Sequence, residues 1–101
     1  MKKTLILLML AAANAQAAPF TSGDAGNGKK LFAKYECSSC HKGKVGGDGS
    51  AIFTRPDRIV HSATEIIPRI KVCSGAVGAN LSGQEEQDLA AYLNQTYYHF
   101  N

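Results

Sequence analysis

The apolar positions of the chain fall into short runs separated by glycine-rich and polar stretches. Leu31, Phe32 and Tyr35 recur at helical spacing, and Asp24 or Asn27 can cap a helix that begins near Gly26 and runs to about Tyr35. A second stripe, Ile66, Ile67 and Ile70, follows Ser62-Ala63-Thr64-Glu65, which has capping-box spacing. Pro68 lies inside that stripe and predicts a helix that kinks or starts later than the cap. The clearest helix opens at Ser82-Gly83-Gln84-Glu85, a second capping box, with Leu89, Tyr92, Leu93 and Thr96 on one face. Glu85, Glu86, Gln87 and Asp88 crowd its first turn, where acid favours the helix dipole. Lys42 to Ser50, with four glycines, and Ser74 to Asn80 read as loops. No stretch alternates with the period of a strand and no segment repeats, so the fold class expected is all-α.

The first apolar run has a different meaning. Lys2 and Lys3 precede an uncharged stretch from Leu5 to Ala13, and Ala15-Gln16-Ala17 places small residues where a signal peptidase reads them. The run is shorter than the roughly 20 residues a membrane span needs. Residues 1–17 are therefore expected to be a removable signal peptide, and 18–101 one exported domain, periplasmic or in an equivalent compartment, with no membrane span after processing. Removing 17 of 101 residues leaves 84, near the size at which a core needs a staple. The formal charge drops from +3 to +1 with the loss of Lys2 and Lys3. That balance gives no footing for nucleic acid, which calls for a clustered basic face. Lys29, Lys30 and Lys34 make the polar side of the first helix, either a solvated face or a surface for an acidic partner.

The candidate chemistry sits at Cys37-Ser38-Ser39-Cys40-His41. Two cysteines two residues apart, followed at once by histidine, form the attachment signature of a c-type haem. Each thiol adds to one vinyl group of the porphyrin, and a single helical turn spans the gap. His41 then offers an imidazole nitrogen to the iron as proximal ligand. One covalently attached haem c is the cofactor expected. Two other readings stand beside it. A dithiol redox site would want a βαβ pattern, which is not visible. A zinc site would draw on Cys37, Cys40, His41 and Cys73, but adjacent Cys40 and His41 are awkward partners on one tetrahedron. Ile52 and Phe53 are expected to cover the haem, and either Arg55 or Arg58 can pair with a propionate.

A helix with Gly28 and Phe32, then Cys-x-x-Cys-His, then a last helix reading Leu89-Ala90-Ala91-Tyr92-Leu93 resembles the class I cytochromes c. The resemblance covers nearly all of Gly26 to Leu93. It implies the cytochrome c fold, short helices wrapped around one haem, with Gly28, Phe32 and Tyr92 where the first and last helices cross. Most members place a methionine in the loop before the last helix as distal ligand. Here the only methionines are Met1 and Met9, both in the expected signal peptide. The stretch from Pro56-Asp57-Arg58 through Cys73 to Glu85 looks more like the small high-spin, or SHP, branch. That likeness implies an asparagine ligand and a disulfide nearby. Its first cysteine corresponds to Cys73, but the asparagine position falls on Val72 and the second cysteine position on Leu81.

Cys73 is thus an odd thiol in an exported chain, a pattern that signals intermolecular pairing or special reactivity. It is the expected sixth ligand of the iron, and a thiolate there would lower the reduction potential. His61 is the runner-up, His99 follows, and an iron without a protein sixth ligand is the remaining alternative. Two functions follow. The first is one-electron transfer at low potential with redox partner proteins. The second is binding or sensing of a small gas, NO, CO or O₂, at a displaceable or vacant position. No acid–base pair is placed for peroxide or nitrogen-oxide chemistry, so an enzyme is not expected. An odd cysteine in a short apolar chain also allows a dimer.

Overall fold

The computed structural model describes residues 19–101, the side chains of Ser39 and Cys40 excepted. The signal peptide read over residues 1–17 lies outside the described residues. Five α-helices follow in order: α1 (Ala25–Lys34), α2 (Cys37–Val45), α3 (Ala51–Thr54), α4 (Ile66–Ala76) and α5 (Gly83–Leu93). A 3₁₀ turn (Ala63–Glu65) leads into α4, a π turn (Asn94–Tyr98) extends α5, and there is no strand among the described residues. The all-α expectation holds.

Each helix begins for a local reason. Asp24 is the N-cap of α1, its carboxylate accepting from the Asn27 backbone N–H at 3.2 Å. Ser82 and Glu85 close a full capping box on α5: the Ser82 hydroxyl accepts from the Glu85 N–H at 3.1 Å, and the Glu85 carboxylate accepts from the Ser82 N–H at 2.9 Å. The other box does not close. Glu65 instead accepts from the His61 N–H at 2.7 Å, and the α-helix starts at Ile66 after the 3₁₀ turn. Pro68 therefore stands in the first turn, where its missing N–H has no intrahelical acceptor to lose. The helix then runs on to Ala76, three residues into the stretch read as a loop from Ser74, and carries Cys73 in its last turns. Likewise α2 continues four residues past His41 before the glycines stop it.

α1 crosses α5 in the most extensive helix contact of the fold. The crossing is close because Gly28 has no side chain. A Cβ there would overlap the Asp88 carbonyl and come within 2.7 Å of the Tyr92 Cβ. Phe32 meets Tyr92 across the contact at a centroid distance of 5.5 Å. The two helices are also tied by Asp88, which is buried. Its carboxylate accepts from the Asp24 N–H, from Asn27 Nδ2 and from Gln84 Nε2, each at 2.8 Å. These three donors hold the Asp88 carboxyl below the usual carboxylate range. Thr96 does not share the face of Leu89 and Leu93; the π turn advances the phase of the chain and leaves it exposed. The same turn puts Tyr97 and Tyr98 against Phe53, at 4.7 and 5.7 Å. Phe53, Val60, Ile66, Ile70, Leu89, Ala90 and Leu93 form the core behind the crossing.

Candidate haem site

Tyr35 and Glu36 turn the chain sharply between α1 and α2. Glu36 takes the left-handed conformation, φ 51° and ψ 42°, and helix α2 begins at the next residue, Cys37. The motif therefore occupies the first turns of α2. Cys37 and His41, four residues apart, share one face of it and line a cavity of about 290 Å³. α2 also rests on Gly49, whose φ is 87°. A Cβ at Gly49 would stand 2.9 Å from His41 Cβ and from the Ser38 carbonyl oxygen, so the glycine permits both the turn and the close approach. The Cys40 side chain lies outside the described residues.

The cavity walls are mostly apolar. Phe53, Val60, Ile66, Ile70, Leu89 and Leu93 supply buried surface, and Ile52 contributes as expected. Ile59 and Val77 are 60% and 46% exposed yet belong to the same lining, so their apolar surface is turned to the slot. Around His41 the aromatic rings close in. Phe53 stands edge-on at 4.8 Å and Phe32 at 6.3 Å. Burial, with Lys44 adding to it, lowers the His41 pKa, which favours the neutral imidazole a metal requires. His41 Nδ1 is buried with no hydrogen-bond partner. A polar imidazole held in an apolar wall, with Cys37 one helical turn before it, fits the attachment of a haem.

Cys73 lines the same cavity from α4 and is exposed. His61 is exposed before the 3₁₀ turn and does not line the cavity; His99 lies at the far end of the chain beside Phe20 and Phe100, in a separate cleft. Of the two arginines read from the sequence, Arg55 lines the cavity and pairs with Asp57 at 3.2 Å, whereas Arg58 stands over the Phe100 ring at 5.9 Å. Lining residues not singled out from the sequence include Arg69, Lys44 and Tyr98. Arg69 precedes Cys73 by four residues on α4 and so shares its face, a spacing that the extended helix makes legible. Lys44 stands three residues past His41 in the same way. Tyr98 arrives only through the π turn, which no periodicity announces; burial, with Cys73 nearby, pushes its hydroxyl up to about 12. Among the described residues no group of three His, Cys, Asp or Glu side chains is gathered to hold a bare metal ion.

The family model described as "Cytochrome C oxidase, cbb3-type, subunit III" matches residues 23–93. No curated protein matches the chain, and no solved structure does. The match runs from Gly23, just before α1, to Leu93, the end of α5, and takes in the helix crossing and everything wrapped between. The chain therefore belongs to the cbb3-type cytochrome c oxidase subunit III family of c-type cytochromes, with a covalently bound haem c as its cofactor and haem-based electron transfer as its work.

Proposed function

We propose that the mature chain, residues 18–101, is an exported electron carrier of low potential whose haem iron His41 and Cys73 would both ligate. The observation that carries this reading is the shared cavity: His41 on α2 and Cys73 on α4 line one apolar slot, and the only methionines, Met1 and Met9, lie in the expected signal peptide. When bound, the haem supplies a one-electron iron couple. The protein does the rest. Cys37 and Cys40 would hold the haem through thioethers. Phe53, Ile66, Ile70 and Leu89 would exclude water from it. With a Cys73 thiolate on the iron the oxidised form is the less charged one, so the ligand and the apolar lining would both draw the potential down. Arg55 and Arg69 are the cavity-lining guanidiniums suited to the propionates. The likeness to the SHP branch belongs to the same reading, with Cys73 in the distal segment and no asparagine at Val72 to compete.

A second reading, gas binding, draws on the exposure of Cys73, since a ligand on a solvent-facing helix is easier to displace than a buried one. Optical and EPR spectra of the oxidised, reduced and CO-treated reduced protein separate the two. A low-spin ferric signal of thiolate type and indifference to CO are expected. A high-spin ferric spectrum, or prompt CO binding, would move the gas reading ahead. Cys73→Ala and Cys73→Met should both raise the potential, and an unchanged value in both removes the thiolate. Export is tested by the mass of the secreted protein, which should begin at Ala18.

A further inference from the structure

The end of α4 that carries Cys73 is held to the rest of the fold by little. Ile66 and Ile70 bury the first half of the helix, but no residue from Lys71 to Gln87 is buried. A Cβ at Gly75 or Gly78 would meet nothing within 4 Å, so the helix end and the turn after it stand clear of other elements. Ser74, Ala76, Val77 and Ala79 line the cavity, where a haem would give them a surface to rest on. One polar tie reaches across to α5. The Lys71 ammonium donates to both carboxylate oxygens of Glu86, at 2.8 and 2.9 Å. Among the described residues this is the only side-chain hydrogen bonding between residues 71–80 and another element. The Lys71 side chain is 60% exposed and that of Glu86 only 12%, so the lysine closes over a largely covered carboxylate. Lys71 precedes Cys73 by two residues, about 200° round the helix. One side of this turn is thus fastened to α5 while Cys73 lines the cavity.

Resting on the reading of Cys73 as an iron ligand, we propose that the Lys71–Glu86 pair is the latch that keeps Cys73 at the cavity, and that it sets how readily a small neutral ligand takes the position of the sulfur. Lys71 and Glu86 are positioning residues, since both act through Cys73. For the sulfur to leave, the last turns of α4 must move outward while Ile66 and Ile70 stay in the core. That motion breaks the ion pair and uncovers no buried side chain, so it is a local opening and not an unfolding of the domain. An ion pair with one exposed partner shifts such an opening by about fivefold at most. In the exchange the incoming ligand donates a lone pair to the ferric iron and the iron–sulfur bond breaks. The sulfur keeps the bonding pair and takes a proton from water, and the iron stays ferric.

The test mixes ferric holoprotein with imidazole at pH 8.5, where this probe is neutral, and follows the Soret band. Lys71→Gln and Glu86→Gln should each bind imidazole about fivefold faster than the wild type, and the exchanged pair Lys71→Glu/Glu86→Lys should return toward the wild-type rate. Salt should speed the wild type toward the rate of the single variants and leave those variants unchanged. In a Cys73→Ala background imidazole should bind far faster, and adding Lys71→Gln should then change nothing, which separates a latch on Cys73 from a general loosening of the fold. Wild-type rates in both single variants, an exchanged pair as fast as they are, or an effect of Lys71→Gln that persists without Cys73 would overturn the latch while leaving the ligand in place. If Cys73→Ala itself binds imidazole as slowly as the wild type, Cys73 is not what the probe displaces, and the ligand reading falls together with the latch.

Discussion

Two single residues, Gly28 and Asp88, set the crossing of α1 and α5, and neither is part of the chemistry. Gly28 lets α1 lie against the Asp88 carbonyl, and a methyl group there meets backbone, which cannot swing aside. Gly28→Ala should therefore destabilise the holoprotein by about 3 kcal/mol, at the upper end for overpacking, measured by guanidinium unfolding. A loss below about 0.5 kcal/mol would mean that the helices separate freely. Asp88 supplies the other contact. Its pKa is depressed in the fold, so its contribution is complete above the unfolded value near 3.8 and is lost as pH falls through the folded one. Asp88→Asn should cost about 2 kcal/mol at pH 6, because an amide turns a donor toward groups that already donate. The gap between variant and wild type should then narrow below pH 4. A gap that stays constant down to pH 2.5 would show that the charge of Asp88 is irrelevant.

Among the elements, the ends of helices decide what faces the haem. The capping box at Ser82 was legible because its two hydrogen bonds are local and depend only on residues three apart. Ser82→Ala should lower stability by about 1 kcal/mol, a few degrees in Tm, with the haem spectrum unchanged. The Ser62 to Glu65 spacing looked identical yet failed, since Glu65 is drawn to the His61 N–H and Pro68 fixes where the α-helix can begin. Local pattern cannot rank two acceptable acceptors. For the same reason the loop was read as starting at Ser74: Ser74 and Gly75 are poor helix formers, but α4 carries on through them to Ala76. The π turn after Leu93 was hidden more deeply. It is held by Asn94, whose side chain donates to the Phe100 carbonyl at 3.1 Å and accepts the Phe100 N–H at 2.8 Å. That contact is tertiary in character, and it places Tyr97 and Tyr98. By contrast Gly28, Phe32 and Tyr92 were readable in advance, because a glycine-dependent crossing leaves a fixed spacing in the sequence, and the Cys37 to His41 spacing marked two of the side chains that line the cavity.

At the scale of the whole molecule, the core and the haem slot are one object. Among the described residues, six of the eight buried apolar side chains, Phe53, Val60, Ile66, Ile70, Leu89 and Leu93, also line the cavity. The helices thus pack less on each other than around a common centre, with the α1–α5 crossing as the exception. The slot is partly open, so without its filling the apolar walls would meet water. An ordinary domain has only about 5–15 kcal/mol of net stability, and a chain of this size sits toward the lower end. The filling of the slot is therefore a substantial part of what holds the fold together. The Cys37→Ala/Cys40→Ala variant, produced without haem, should keep much of its far-UV helical signal, carried by α1 and α5, while losing near-UV structure and any sharp thermal transition. A cooperative melt within about 10 °C of the holoprotein would show instead that the walls collapse onto each other, and that the fold precedes its cofactor.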